Sequence, residues 1–156
     1  MTASVGTGKT HLAIALGLKA CMARKRALFT TVHALLDPLV AATVDRSLGA
    51  RLEMLSRLDL VIADELGYMP ASTQRANLFF QFVSCRYEKG SIILTTNKAF
   101  DQWGQVFGDD VIASAILDRL LHHSHIIAIN GPSYRLKDKL DRAAQAAAAA
   151  PPREPA

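Results

Sequence analysis

Gly6-Thr7-Gly8-Lys9-Thr10 runs straight into the apolar stretch His11-Leu12-Ala13-Ile14-Ala15-Leu16, and these are residue types that can hold a chain of phosphates. Glycines at 6 and 8 let the backbone take dihedrals that a Cβ forbids. Successive N–H groups can then converge on an anion, and the N-terminus of a following helix adds its positive dipole end. Lys9 can meet the terminal phosphates as a point charge, and the Thr10 hydroxyl can hold Mg²⁺. The P-loop pattern asks for Gly, four free positions, then Gly-Lys-Ser/Thr. Gly8, Lys9 and Thr10 satisfy it, while Ala3 stands where the first Gly belongs. The competing reading is a Gly-rich helix cap beside a solvated lysine.

Further along, Leu58-Asp59-Leu60-Val61-Ile62-Ala63 is an apolar run that ends in Asp64-Glu65. In an open parallel sheet, ligands bind beyond the carboxyl ends of the strands. Asp64 is therefore placed to complete a Mg²⁺ shell opposite Thr10, and Glu65 to orient and deprotonate an attacking water. Asn97 closes the run Ser91-Ile92-Ile93-Leu94-Thr95-Thr96 at the equivalent depth. Its amide can bond both water and γ-phosphate without adding negative charge, although Thr-Asn-Lys also reads as a simple strand exit. Arg119 carries a planar, permanently charged group suited to a phosphoryl-transfer transition state, or it pairs with Asp118 or another carboxylate. His122, His123 and His125 do not read as a metal site: two are adjacent, so their side chains diverge, and no Cys or carboxylate nearby in sequence completes a ligand set.

Positioning these groups requires strands alternating with helices. Helical spacing covers about residues 8–23, with Leu12, Ala15, Leu16, Lys19 and Ala20 on one side. Ala27-Leu28-Phe29-Thr30-Thr31 reads as a strand whose last threonine caps the next helix. Residues 32–57 are helical with an interruption, Pro38 near a first turn or kink and Gly49 at the break. Ser72 or Thr73 caps a helix carrying Leu78, Phe79, Phe82, Val83 and Tyr87. Strands at 91–96 and 125–129 flank helical pieces at 100–107 and 109–121. The alternation predicts βαβ units and a parallel sheet.

The 156 residues make one domain by size, 50% hydrophobic and 21% charged, as in soluble globular proteins. No apolar run is long enough to span a bilayer and no signal-peptide layout is present, which predicts a cytoplasmic protein without a membrane partner. Cys21 and Cys85 fall in apolar helical stretches and read as reduced core thiols. A net charge of +4 makes a polyanion partner plausible, but the basic residues are dispersed apart from 24–26 and 135–142.

The segments Gly6 to Ala13, Asp64-Glu65-Leu66-Gly67-Tyr68, Leu94 to Lys98, Asp118-Arg119-Leu120 and Gly131-Pro132-Ser133-Tyr134-Arg135 occur in one order. In that order they resemble the IstB branch of the IstB/DnaC-like AAA+ ATPases over roughly residues 4–140. The resemblance implies an α/β P-loop NTPase fold of AAA+ type, a parallel sheet flanked by helices. It implies an ATPase that helps insertion-sequence transposition, assembles on double-stranded DNA as an ATP-dependent homo-oligomer and recruits a transposase. By the same resemblance, Gly6, Thr7, Gly8, Lys9, Thr10 and His11 hold ATP, and Thr10 and Asp64 hold Mg²⁺. Lys9, Glu65, Asn97 and Arg119 act in catalysis, with Arg119 offered to a neighbouring subunit and the role of Arg135 open.

Family members carry a Gly at the start of the P-loop and a buried apolar strand before it. Here the expected domain, residues 1–142, begins without that first, central strand, and 143–156 is a low-complexity tail. An open slot leaves unpaired backbone groups costing about 1–3 kcal/mol each where buried. The expectation is a fragment of a longer frame, whose stability and ATP affinity rise when an apolar strand is restored. Two rivals stand beside the transposition ATPase: a helicase loader of replication, and a truncated, non-hydrolysing remnant that still contacts DNA or a transposase.

Overall fold

Three short runs rich in β-branched and apolar residues form the sheet: β1 (Ala27–Thr31), β2 (Leu60–Leu66) and β3 (Ser91–Thr96). They pair in parallel in the order β1-β2-β3. The computed structural model describes residues 6–67 and 72–136, so Ala3, Tyr68 and the 143–156 tail lie outside the described residues. Among the described residues, six α-helices connect and cover the strands: α1 (Lys9–Met22), α2 (Val32–Val44), α3 (Leu48–Ser56), α4 (Thr73–Arg86), α5 (Trp103–Phe107) and α6 (Asp110–Leu121).

The two-residue period of β2 divides the core. Leu60 and Ile62 point to one face, where they meet Ala13 of α1. Val61 and Ala63 point to the other and join the larger cluster built from α2 to α6, including Leu36, Phe79, Phe82, Trp103, Phe107 and Ile116. Phe79 and Phe107 lie 5.4 Å apart by ring centroids. Burying side chains of this size contributes about 1.5–3 kcal/mol each, so this second layer carries most of the hydrophobic stabilisation. Arg86, only 1% exposed, ties the layer together by donating to the Leu55 carbonyl and, at 2.9 Å, to the Ser91 carbonyl.

Several local expectations change. On α1, Ala13 and Gly17 are the buried residues, whereas Leu12, Ala15, Leu16 and Lys19 are exposed. Small side chains let the helix lie close on the sheet: a Cβ at Gly17 would come within 2.8 Å of Ile62 Cδ1. Cys21 is exposed rather than in the core, and Cys85 is half-buried, its Sγ 3.1 Å from the Phe82 carbonyl. The helical break falls at 45–47, where Asp45 Oδ1 accepts from the Ser47 amide at 2.9 Å, and Gly49 lies inside α3. An aspartate that closes its own turn interrupts the helix more firmly than one glycine. Pro38 sits within α2 on its exposed side. Thr31 caps α2 by accepting from Ala34 N at 3.1 Å, whereas the Ser72 side chain makes no capping bond to α4.

The run 125–129 is not a strand, which corrects the fourth-strand expectation. A strand exists only where a neighbour accepts its ladder. Among the described residues the sheet ends at β3, and Ile126 and Ile127 are 56% and 43% exposed.

Candidate functional site

Gly6 and Gly8 take φ values of +83° and +90°, the left-handed conformation that glycine adopts without penalty. Gly8 is the N-cap of α1 and supplies no side-chain cap, so the first amides of the helix open onto the loop. Space at position 6 is tight as well: a Cβ there would come within 2.1 Å of Ser133 Oγ, so that hydroxyl would have to turn away. The contact follows from the 131–136 segment folding back, with Tyr134 N donating to Gly6 O at 2.9 Å.

Behind the loop, the strand ends bring their polar groups together. Thr10 Oγ1 lies 3.2 Å from Asp64 Oδ1. Asp64 is 3% exposed, just beneath the surface of the cleft. Its Oδ1 also accepts a hydrogen bond from Thr95 Oγ1, and the same threonine oxygen accepts from Glu65 N at 3.0 Å. Thr95, 2% exposed, thereby fixes both acidic residues from the neighbouring strand.

β2 continues through Asp64 and Glu65 to Leu66 rather than ending before them. Ala63 pairs with Leu94 and Leu66 with Thr96, so two residues of β2 face the single Thr95. Such a bulge re-aims a side chain. Glu65 takes φ +64°, costly for a residue with a Cβ, and its carboxylate is exposed in the cleft. Thr96 Oγ1 donates to Leu66 O at 2.8 Å and accepts from Lys98 N at 3.0 Å, holding the turn that presents Asn97.

Gly6, Thr7, Gly8, Lys9, Thr10, His11, Glu65 and Asn97 line one cleft of about 570 Å³, together with Thr95, Thr96, Tyr134 and Arg135. The volume suits a nucleotide-sized ligand. Lys9 Nζ stands 3.5 Å from Thr7 Oγ1. Burial holds its ammonium below the ordinary lysine range; Asp64 opposes that shift and Arg135 adds to it. Arg135 is therefore within electrostatic reach of Lys9. Arg119 stands outside this lining, its guanidinium carbon 4.3 Å from the centre of the Phe80 ring.

The expected loop and strand-end residues are thus gathered in one place, and Arg119 is not. Thr95 and Tyr134 escaped the sequence reading as site residues. The doubled threonine before Asn97 was the available signal for Thr95, since a hydroxyl there can satisfy a neighbouring buried carboxylate. The described residues fit a Mg²⁺-nucleotide: the hydroxyl and carboxylate that would hold the ion are already paired beside the loop amides.

Comparison with known proteins gives a consistent match. The family described as IstB-like ATP binding protein matches residues 1–142. The chain is 53% identical over 134 residues to an ATP-binding protein of insertion sequence IS21 from Pseudomonas aeruginosa, covering 86% of this chain and 51% of that protein. It is 45% identical to the corresponding protein of IS232 from Bacillus thuringiensis, covering 88% and 55%. The chain spans about half the length of these curated relatives. Among solved structures, AMPPCP-bound DnaA from Aquifex aeolicus superposes with a TM-score of 0.68 at 20% identity, covering 92% of this chain and 44% of that one. The DnaC helicase loader superposes with a TM-score of 0.64 at 20% identity, covering 84% and 76%. Both likenesses describe the AAA+ fold.

Proposed function

The chain belongs to the family of IstB-like ATP-binding proteins, and from that membership we propose that it binds ATP with Mg²⁺ in the Lys9 cleft and hydrolyses the β–γ bond in support of insertion-sequence transposition. The observation that carries this reading is the 3.2 Å pairing of Thr10 with Asp64 beside a glycine loop whose amides and lysine face the same cleft. The loop N–H groups and the Lys9 ammonium bind the phosphates. Thr10 and Asp64 would hold Mg²⁺, which would supply positive charge to offset that of the phosphates.

Glu65, re-aimed into the cleft by its bulge, accepts the proton of the attacking water. Asn97 orients that water and the γ-phosphate. Arg135 adds a second positive charge to the same cleft. Arg119, outside the lining of its own cleft, serves the site of a neighbouring chain, and homo-oligomerisation on ATP follows from that division of labour. Catalysis rests on positioning and charge stabilisation rather than on a covalent intermediate. Double-stranded DNA and a transposase are the proposed partners, supported by the insertion-sequence relatives and by the chain's net charge of +4. Among the described residues no helix is long and apolar enough to cross a membrane.

The decisive experiment pairs two variants. Lys9→Ala weakens ATP binding at least about 100-fold, whereas Glu65→Gln retains binding and stops turnover. Full hydrolysis by Glu65→Gln would remove Glu65 from its role. Tight ATP binding without turnover by the unmodified chain would leave a nucleotide-dependent binding module. The likeness to the DnaC loader supports a second reading, a replication partner in place of a transposase. Capture of purified transposase rather than purified replicative helicase by the ATP-bound chain separates the two.

A further inference from the structure

Away from the cleft, α4 and α6 bring their C-terminal ends together and carry three metal-ligating side chains to one place. Glu88 follows α4 in a left-handed turn, φ +58°, and His122 and His123 follow α6. The sequence places the two histidines side by side, with Asp118 one helical turn before His122 as the nearest acid. The fold groups them instead with an acid 34 positions earlier than His122, and holds the two rings close and tilted, centroids 4.1 Å apart. Their ligating atoms and that of Glu88 all lie within 4.8 Å of one another.

We infer that Glu88, His122 and His123 form a second metal site, which takes a borderline divalent transition ion of the Zn²⁺ class and is separate from the Mg²⁺ of the nucleotide cleft. Two imidazoles and a carboxylate are the donor set of that class, whereas Mg²⁺ prefers oxygen ligands alone. Around a tetrahedral zinc the donors stand roughly 3.4 Å apart. His123 Nε2 and Glu88 Oε1 already stand at 3.6 Å, so small rotations of exposed side chains close the set. Tyr87 supplies the outer support such a site needs: its hydroxyl lies 2.7 Å from His122 Nδ1 and orients that ring. The converging C-termini of α4 and α6 add partial negative charge toward a cation. Lys89 and Arg119 are nearby in sequence and oppose it, so affinity comes from the donors rather than from the surrounding field.

The three side chains are exposed, and their replacement leaves the core intact. Titration of the nucleotide-free chain with Zn²⁺, followed by calorimetry, gives one equivalent bound per chain. Co²⁺ in its place gives the visible absorption of a low-coordinate nitrogen–oxygen site. Glu88→Gln, His122→Ala and His123→Ala each weaken binding at least about 10-fold. His33→Ala, which breaks a separate exposed histidine–aspartate pair, leaves it unchanged. ATP affinity at saturating Mg²⁺ is the same in all four variants. Undiminished Zn²⁺ binding by Glu88→Gln and His122→Ala, or half an equivalent bound with Zn²⁺-dependent dimers, would overturn the site.

Discussion

Thr10 and Asp64, at the start of α1 and near the end of β2, meet through a hydroxyl and a carboxylate 3.2 Å apart, and this pair joins the phosphate loop to the acidic strand end. Thr10→Ala keeps the loop amides and Lys9 but loses the hydroxyl that would hold Mg²⁺. Mg²⁺-ATP affinity should fall about 10- to 100-fold, while ATP affinity measured in EDTA changes little. Fluorescent-nucleotide titrations with and without Mg²⁺ check this. An equal loss in both would assign Thr10 to the fold of the loop instead.

Thr95 is the residue on which both acids depend. Thr95→Val preserves its volume but removes the bond to Asp64 and leaves the Glu65 amide without its acceptor. Losing a buried partner of this kind costs about 1–3 kcal/mol of stability. Denaturant unfolding should show that loss. Steady-state kinetics should show turnover falling more than nucleotide affinity, because the groups displaced are the acids and not the loop.

How far these arrangements were legible differs by residue. The placement of Lys9, Thr10 and Asp64 was readable because a glycine loop running into a helix and an apolar strand run are both written in adjacent residues. β1 and β3 were readable to the residue, since each is a short apolar run with a helix signal on either side. Thr95 was not readable in its role, because its partners lie on the neighbouring strand and register is not written locally. The bulge at Glu65 is hidden for the same reason. The 125–129 run has strand composition, but composition does not supply a neighbour to pair with, and the exposure of Ile126 and Ile127 records that difference. Glu88 meeting His122 and His123 is likewise a product of helix packing, invisible in sequence spacing.

Arg119 stacks on Phe80 and stays clear of its own cleft, which permits a test of service in trans. Arg119→Ala chains should bind ATP normally and lose turnover when assembled. Lys9→Ala chains should be inactive for the opposite reason. In an oligomer with head-to-tail interfaces, an equal mixture regains about a quarter of full activity, because a site needs Lys9 from one chain and Arg119 from the next. A mixture as inactive as its components would place Arg119 in service to its own chain.

Burial holds the Lys9 ammonium below its ordinary range in the free protein, with Asp64 and Arg135 as the opposing and reinforcing charges. A polyphosphate beside it favours the charged form, so the bound-state value is the higher of the two. Below the free-state value both states carry the proton, and affinity does not change with pH. As pH rises from the free-state value toward the bound-state value, binding must take up a proton and affinity falls, by up to about tenfold per pH unit. Calorimetry in two buffers of different ionisation enthalpy measures that uptake directly. Arg135→Ala removes one charge that lowers the Lys9 value, so the onset of the decline should move to higher pH. An onset that stays fixed in Arg135→Ala would remove Arg135 from the charges that act on Lys9.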